Sequence, residues 1–290
     1  MMRTMHSLLL DAKKNGYAVA APNVFDNWQV QAVFEVANAL KAPIIVNAAR
    51  SQYLEEIAYI TRYYEKKYPD VVFALNLDHG GAFEDIVGCI RYGYSSVMID
   101  RSELPLKENA AQVKEVVRIA HAVGVSVEAE IGHVGETDTY DQMRDAGLTD
   151  IDEAIWFARE TGVDCLAVAV GTSHGAYKGT PRIEFELLSK LNDVIPVPLV
   201  LHGGSSTGDV NLQKAIQLGI TKINLWTDLS NASLREMAKY LQAGGADSDG
   251  TKDEFANHDA NIRLAATAAQ QGFKEELSHY VCLFGGENKA

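Results

Sequence analysis

The sequence is short of the residues that would staple a small secreted fold. It has only three cysteines in 290 residues, Cys89, Cys165 and Cys282. They are far apart and odd in number, so neither a disulfide framework nor a CxxC metal site can be read from them. Three reduced thiols suit a cytoplasmic protein. Proline is scarce as well, seven in all and scattered. No linker divides the chain, and the reading is one domain over residues 1–290. Positive charge is in deficit, with 26 Lys and Arg against 39 Asp and Glu, a net charge of −13. Nucleic acid and anionic membrane both want a basic face, so neither is expected as a partner. A small anionic substrate stays open, because a local pocket can be positive inside an acidic protein. Long hydrophobic runs are missing too. Leu8-Leu9-Leu10 ends at Asp11, Lys13 and Lys14, short of the roughly 7–15 residues of a signal-peptide core. No stretch reaches the ~20 apolar residues of a membrane span.

What is present is a repeated pattern. Short apolar runs recur at Tyr17–Val24, Pro43–Ala49, Val72–Asp78, Ser95–Asp100, Ser126–Ile131, Cys165–Gly171, Pro198–His202 and Ile220–Thr227. Most are nearly continuous in apolar residues, as parallel strands buried on both faces are. Helical periodicity fills the gaps. Val30, Val33, Phe34, Ala37 and Leu40 share a face behind a cap at Asp26 or Asn27. Val113, Val116, Val117 and Ala120 share another, and Leu212, Ala215 and Ile216 a third. Gly16, Gly93, Gly124, Gly162 and Gly219 stand where left-handed helix ends belong. Eight strand–helix alternations predict a (β/α)8 TIM barrel. A doubly wound sheet would more often carry a Gly-rich dinucleotide turn after its first strand, where this chain has Pro22-Asn23-Val24-Phe25. Residues 228–290 read as the last barrel helix and a helical C-terminal extension. Leu234, Met237 and Leu241 form one expected face, and Ile262, Ala265, Ala266 and Ala269 another.

Barrels of this kind build their sites at the C-terminal strand ends. Those ends carry Asn23, Asp78-His79-Gly80, Asp100, Glu128 and Glu130, Gly171-Thr172-Ser173-His174-Gly175, His202-Gly203-Gly204-Ser205, and Asn224 with Thr227. His79, His174 and His202 therefore fall at equivalent places on different strands, each followed by glycine. Three neutral imidazoles at about 2.0–2.1 Å suit Zn²⁺ and leave a position open for substrate. A lone histidine would read as a hydrogen-bonded loop residue; His121, in a helix, and His6, His258 and His279, near the termini, read as surface residues, and His133 is left open. Gly203-Gly204-Ser205-Ser206, ahead of a helix start, is either a plain turn or a phosphate cradle of backbone N–H groups.

The chain resembles the class II, metal-dependent ketose-bisphosphate aldolases, nearest the fructose- and tagatose-bisphosphate branch. The likeness lies in Leu77-Asp78-His79-Gly80, Ser96–Asp100, Ser126–Glu130, Gly171–Gly175 with Lys178-Gly179, Leu201–Ser205 and Lys222-Ile223-Asn224, and runs over essentially the whole sequence. The resemblance implies that His79, His174 and His202 bind a catalytic Zn²⁺ and that Asp78 exchanges a proton with a substrate hydroxyl. It implies that Gly175, Gly203, Ser205, Asn224 and Thr227 line the pocket of a dihydroxyacetone phosphate moiety. Asn23, Lys178 and Gly204 join that expected set. A monovalent cation, Na⁺ or K⁺, is expected nearby, and Asp100 and Glu130 match acids proposed to form a second metal position. A homodimer or homotetramer is expected.

Departures from the family pattern bear on the substrate. The loop after the fifth strand, Gly132-His133-Val134-Gly135-Glu136-Thr137-Asp138, is one residue short. Glu136 is its candidate mobile base, with a solvated glutamate as the alternative. Ala49 replaces a usual small hydroxyl residue and is followed by Arg50, either a solvated charge or a clamp for an anionic substrate end. Trp226 stands where relatives carry something small or polar; it either narrows the pocket or packs at the rim. The tail, Gly285-Gly286-Glu287-Asn288, is also unusual. Two other readings compete: a Schiff-base aldolase using Lys222, and a non-catalytic sugar-phosphate-binding or partner subunit on the same barrel.

Overall fold

A computed structural model describes residues 1–49, 53–135, 145–175, 177, 181–244 and 262–290. Strands β1 (Val19–Pro22), β2 (Ile44–Ala49), β3 (Phe73–Gly80), β4 (Ser96–Ile99), β5 (Ser126–Ile131), β6 (Cys165–Val168), β7 (Leu199–Leu201) and β8 (Ile220–Leu225) fall inside the eight predicted runs or within two residues of them. All pair in parallel, in the order β1-β8-β7-β6-β5-β4-β3-β2. A parallel bridge between Asn23 and Asn47 joins the two ends of that order, and Val24 N donates to Asn47 O at 2.9 Å. The sheet is thus a TIM barrel.

Helices α2 (Asn27–Leu40), α3 (Leu54–Lys67), α4 (Phe83–Tyr92), α5 (Leu106–Ala122), α6 (Ile151–Thr161), α7 (Phe185–Val194), α8 (Asp209–Gln217) and α9 (Thr227–Gly244) follow the strands in turn. The expected cap of α2 is Asp26, whose carboxylate accepts from Gln29 N at 3.2 Å. The five glycines expected at helix ends all have positive φ. There any side chain would meet the following carbonyl.

Strand parity sorts the core into two. Ala20, Val46, Leu75, Val97, Val127, Leu166, Leu199 and Ile223 face outward and pack against the helices. Val19, Ala21, Ile45, Ala74, Cys165, Ala167 and Val200 face inward. A further helix, α1 (Met5–Asn15), plugs that interior from the N-terminal ends of the strands. Met5, Leu8, Leu9 and Ala12 join the inward cluster, and His6 N donates to Ser126 Oγ at 3.4 Å.

The C-terminal extension is α10 (Ile262–Leu283), packed on α9 and α2. On α10 Ala265 and Ala269 of the expected face are buried while its first member, Ile262, is not, and on α9 the expected Leu234 turns outward. Leu234 is 59% exposed and Ile262 83%. The buried residues are Leu229, Ala232 and Ser233 on α9, and Ala265, Ala269, Gly272, Phe273, Leu277, Tyr280 and Val281 on α10. The two helices cross so closely that a Cβ on Gly272 would sit 2.4 Å from Ala232 O. That approach, rather than apolar bulk, sets the seam. The end of the chain then returns to the start of the barrel: Ala18 N donates to Phe284 O at 3.0 Å and Asn288 N to Leu40 O at 2.9 Å.

Leu9 is fully buried in the plug. Leu9→Ala is expected to cost about 2–4 kcal/mol, because the barrel walls cannot collapse into the void; urea unfolding monitored by circular dichroism checks this.

Candidate active site

The inward parity that is apolar at the floor turns polar higher up. Asn47, Asn76, Asp78, Glu128, Glu130, His202, Lys222 and Asn224 all lie buried on it. Above them opens a cavity of about 570 Å³, the size of a small-molecule site. Its lining includes Asn23, Phe25, Asp78, His79, Asp100, His133, His174, Gly175, Gly203, Gly204, Ser205, Asn224, Trp226 and Thr227.

Asp78 and His79 are consecutive yet both serve this cavity. His79 adopts a left-handed backbone, φ 50°, and the β3–β4 register shifts between Leu77 and Gly80. This turn re-aims a ring that regular alternation would point outward. Gly80 is required beside it, since a Cβ there would lie 2.2 Å from Met98 O.

The three histidine rings meet edge to face. Ring centroids are 4.6 Å apart for His79 and His202, 4.9 Å for His79 and His174, and 5.9 Å for His174 and His202. Carboxylates fix two of them from behind. Asp100 Oδ2 lies 2.7 Å from His79 Nδ1, and Glu128 Oε1 lies 2.8 Å from His202 Nε2. The remaining nitrogens, His79 Nε2 and His202 Nδ1, face each other at 2.9 Å. His174 Nε2 is buried with no hydrogen-bond partner. One ring nitrogen from each histidine lies within 4.8 Å of the others. These donors fit a divalent cation with imidazole preference, and the carboxylates behind them are the partners that orient such ligands.

The surrounding charges act differently on each group of the cluster. Burial pushes the His79 ring down, but Asp78 and Asp100 outweigh it and raise the ring to about 9. Burial, with repulsion from His202 and His79, pushes His174 down to about 3. Burial alone would raise Asp78; the His79, His202 and Lys222 charges and the Asn23 amide hold it down at about 2. Asp100 is likewise held low against burial by its bond to His79. Glu130 is raised, chiefly by burial. Too few cations face these acids, and more protons on crowded imidazoles are a poor remedy. A second grouping, His79, Asp100 and Glu130, also lies within 4.8 Å.

The sequence-predicted residues are largely brought together. Asn23 Nδ2 donates to Asp78 Oδ2 at 3.0 Å and Asn224 Nδ2 to Oδ1 at 2.9 Å, so both asparagines serve Asp78. Their own carbonyl oxygens are buried without partners. Ser205 Oγ accepts from Trp226 N and Asp228 N at 3.2 and 3.3 Å, tying the β7 loop to the start of α9. A Cβ on Gly203 would lie 2.3 Å from Ser173 O, so that loop admits no side chain there. The helix expected behind it, with Leu212, Ala215 and Ile216 on one face, starts at Asp209. Trp226 lines the cavity and meets Phe25 edge to face at 4.6 Å. Arg50, Glu136 and Lys178 lie outside the described residues. Lys222 is not in the cavity wall: its ammonium is fully buried and bonds Glu128 Oε2 at 2.5 Å, which disfavours it as a Schiff-base nucleophile.

The family described as fructose-bisphosphate aldolase class-II has a model that matches residues 3–289. The chain belongs to that family. Among solved structures, the YdjI aldolase from Escherichia coli K12 is similar over 100% of both chains, with 30% identity and a TM-score of 0.85. A putative fructose-1,6-biphosphate aldolase from Coccidioides immitis shares 23% identity over 98% of this chain and 97% of that one, at a TM-score of 0.81. The Campylobacter jejuni fructose-bisphosphate aldolase shares 20% over 100% and 97%, also at 0.81. The last two likenesses speak to fold.

Two features of this aldolase escaped the sequence reading. Glu128 was visible as an acid on β5, but its pairing with Lys222 across the barrel was not. Ser102 carried no signal: it bonds Asp100 and, at 2.9 Å, His133 Nδ1. For Glu128→Leu, which strands the buried Lys222 charge, a loss of about 3–5 kcal/mol is expected. Pairing it with Lys222→Leu recovers part of that loss, and chemical denaturation of both variants checks the difference.

Proposed function

We propose that this family member is a Zn²⁺-dependent aldolase. It cleaves a phosphorylated ketose, of the fructose or tagatose 1,6-bisphosphate type, into dihydroxyacetone phosphate and an aldehyde such as glyceraldehyde 3-phosphate, and runs the reverse condensation. The observation that carries the reading is one cavity holding a doubly anchored carboxylate, three converging imidazoles and a side-chain-free glycine loop. Zn²⁺ held by His79, His174 and His202 supplies a Lewis acid for the enediolate charge. Asp78 accepts the proton of the C4 hydroxyl as the C3–C4 bond breaks and C4 becomes the aldehyde carbonyl. Its two asparagine bonds keep it ionised and aimed for that transfer. The electron pair stays on C3, and Glu136 returns a proton there. The loop Gly203-Gly204-Ser205, with Gly175, Thr227 and Lys178, holds the phosphate, on the side of the barrel where this fold usually binds one. Asp100 and Glu130 offer a second cation position, and Na⁺ or K⁺ near the phosphate belongs to the same reading. So does assembly as a homodimer or homotetramer, which light scattering tests. No helix among the described residues is long and apolar enough to cross a membrane; a cytoplasmic location accords with that and with three free thiols.

The test is triose-phosphate release from fructose 1,6-bisphosphate, tagatose 1,6-bisphosphate and ketose monophosphates. Release should vanish with EDTA and return with Zn²⁺. Asp78→Asn is expected to lower kcat by about 10²–10⁴-fold with zinc content unchanged. No release from any sugar by metal-loaded protein would overturn the reading, and full activity in Asp78→Asn would remove Asp78 from the chemistry.

A further inference from the structure

In the ring of strands β4 lies across from β8, with β5 beside it. The loop after β4 therefore stands across the mouth from Trp226 and Thr227 at the end of β8, and there Glu103, with His133 of the neighbouring β5 loop, lines the cavity. Asp100 accepts from His79 Nδ1 at 2.7 Å, Ser102 N at 3.1 Å and Ser102 Oγ at 2.8 Å. A hydroxyl has one proton, and the carboxylate, a stronger acceptor than an imidazole nitrogen, takes it. The 2.9 Å contact between Ser102 Oγ and His133 Nδ1 must then run the other way, with Nδ1–H as donor. In a neutral ring this leaves a bare lone pair on Nε2. That atom lies toward Glu103, whose nearest oxygen is 3.9 Å away. An ionised carboxylate has no proton to give, so Nε2 is an acceptor in want of a donor. The side chain is 41% exposed and within reach of a ligand.

We propose that His133 Nε2 accepts a hydrogen bond from a hydroxyl on the aldehyde portion of the substrate, making His133 a specificity-determining residue. This rests on the aldolase reading of the cavity. An ionised phosphate or carboxylate offers no donor to this wall, whereas a polyhydroxylated carbon chain does. The same Asp100 that orients His79 orients His133 through Ser102, so the ring is held ready rather than recruited by the ligand.

The experiment is aldol condensation of dihydroxyacetone phosphate with glyceraldehyde and with propanal, which lacks the hydroxyls. The readout is the ratio of kcat/KM for the two aldehydes. In His133→Asn the amide nitrogen replaces Nδ1 and keeps the bond to Ser102, while Nε2 is gone. That ratio is expected to fall about tenfold, the loss of one neutral hydrogen bond, with Zn²⁺ affinity by calorimetry unchanged. His133→Gln, which puts a polar atom near the Nε2 position, should restore part of it. An unchanged ratio in His133→Asn, with both aldehydes consumed, would overturn this inference alone. Wild-type protein that condenses neither aldehyde would overturn the aldolase reading and this inference with it.

Discussion

Everything at the mouth of this barrel hangs on where Glu128 directs its two oxygens. One takes a hydrogen from His202 and the other from Lys222, with all three side chains out of contact with water. Desolvating a carboxylate and an ammonium costs several kcal/mol apiece, and their attraction roughly repays it only in good geometry. The pair is a weak argument for stability and a strong one for shape. By engaging His202 Nε2 it fixes the tautomer and turns Nδ1 toward His79. Asp100 does the same for His79 from the opposite side. The converging nitrogens are thus arranged by acids behind them, before any ligand arrives.

A polarity gradient along the barrel axis makes such a cluster tolerable. Inward positions near α1 are mostly apolar, with Ser96 and Ser126 as exceptions that bond α1, and those near the strand ends are polar, on the same parity. The plug keeps water from below, and the low dielectric it creates strengthens each bond above it. Buried polar atoms without protein partners, His174 Nε2, Glu130 Oε2 and the carbonyls of Asn23 and Asn224, gather at the upper end. Orphans like these are costly in a finished core. At a cavity they are capacity left for something that binds.

Much of this could be read from the residues. A run such as Cys165–Gly171 is apolar on both faces, which marked it as a buried strand. His-Gly steps at three strand ends gave the imidazole cluster. The barrel expectation placed Glu128, Glu130 and Asn224 at the strand ends that build the site. The failures have physical causes. Helical periodicity marked Leu234 and Ile262 as buried, but the α9–α10 seam is set by backbone approach at Gly272, which hydrophobicity does not report. The left-handed turn at His79 overrides alternation and comes from a register shift between strands. The Ser102–His133 contact joins two loops, and Glu128 meets Lys222 across the barrel axis; no local pattern encodes such partners. α1 was legible only at its end, through Gly16. Its role as a plug depends on an interior that exists only once the sheet is closed.

The closure itself has a kinetic consequence. β1 leans on β8, its following helix on α10, and its first residues on Phe284, all supplied from the far end of the sequence. Neighbouring strand–helix pairs can assemble as soon as they exist, whereas the opening strand has only β2 beside it until the chain is nearly complete. Contacts of such sequence separation carry the greatest loop-closure entropy and govern the speed of folding. The seam between first and last strands is therefore the pairing with the greatest loop-closure cost in this barrel. Folding intermediates should expose the edges of β1 and β8, the two places where another copy of the chain could pair by mistake.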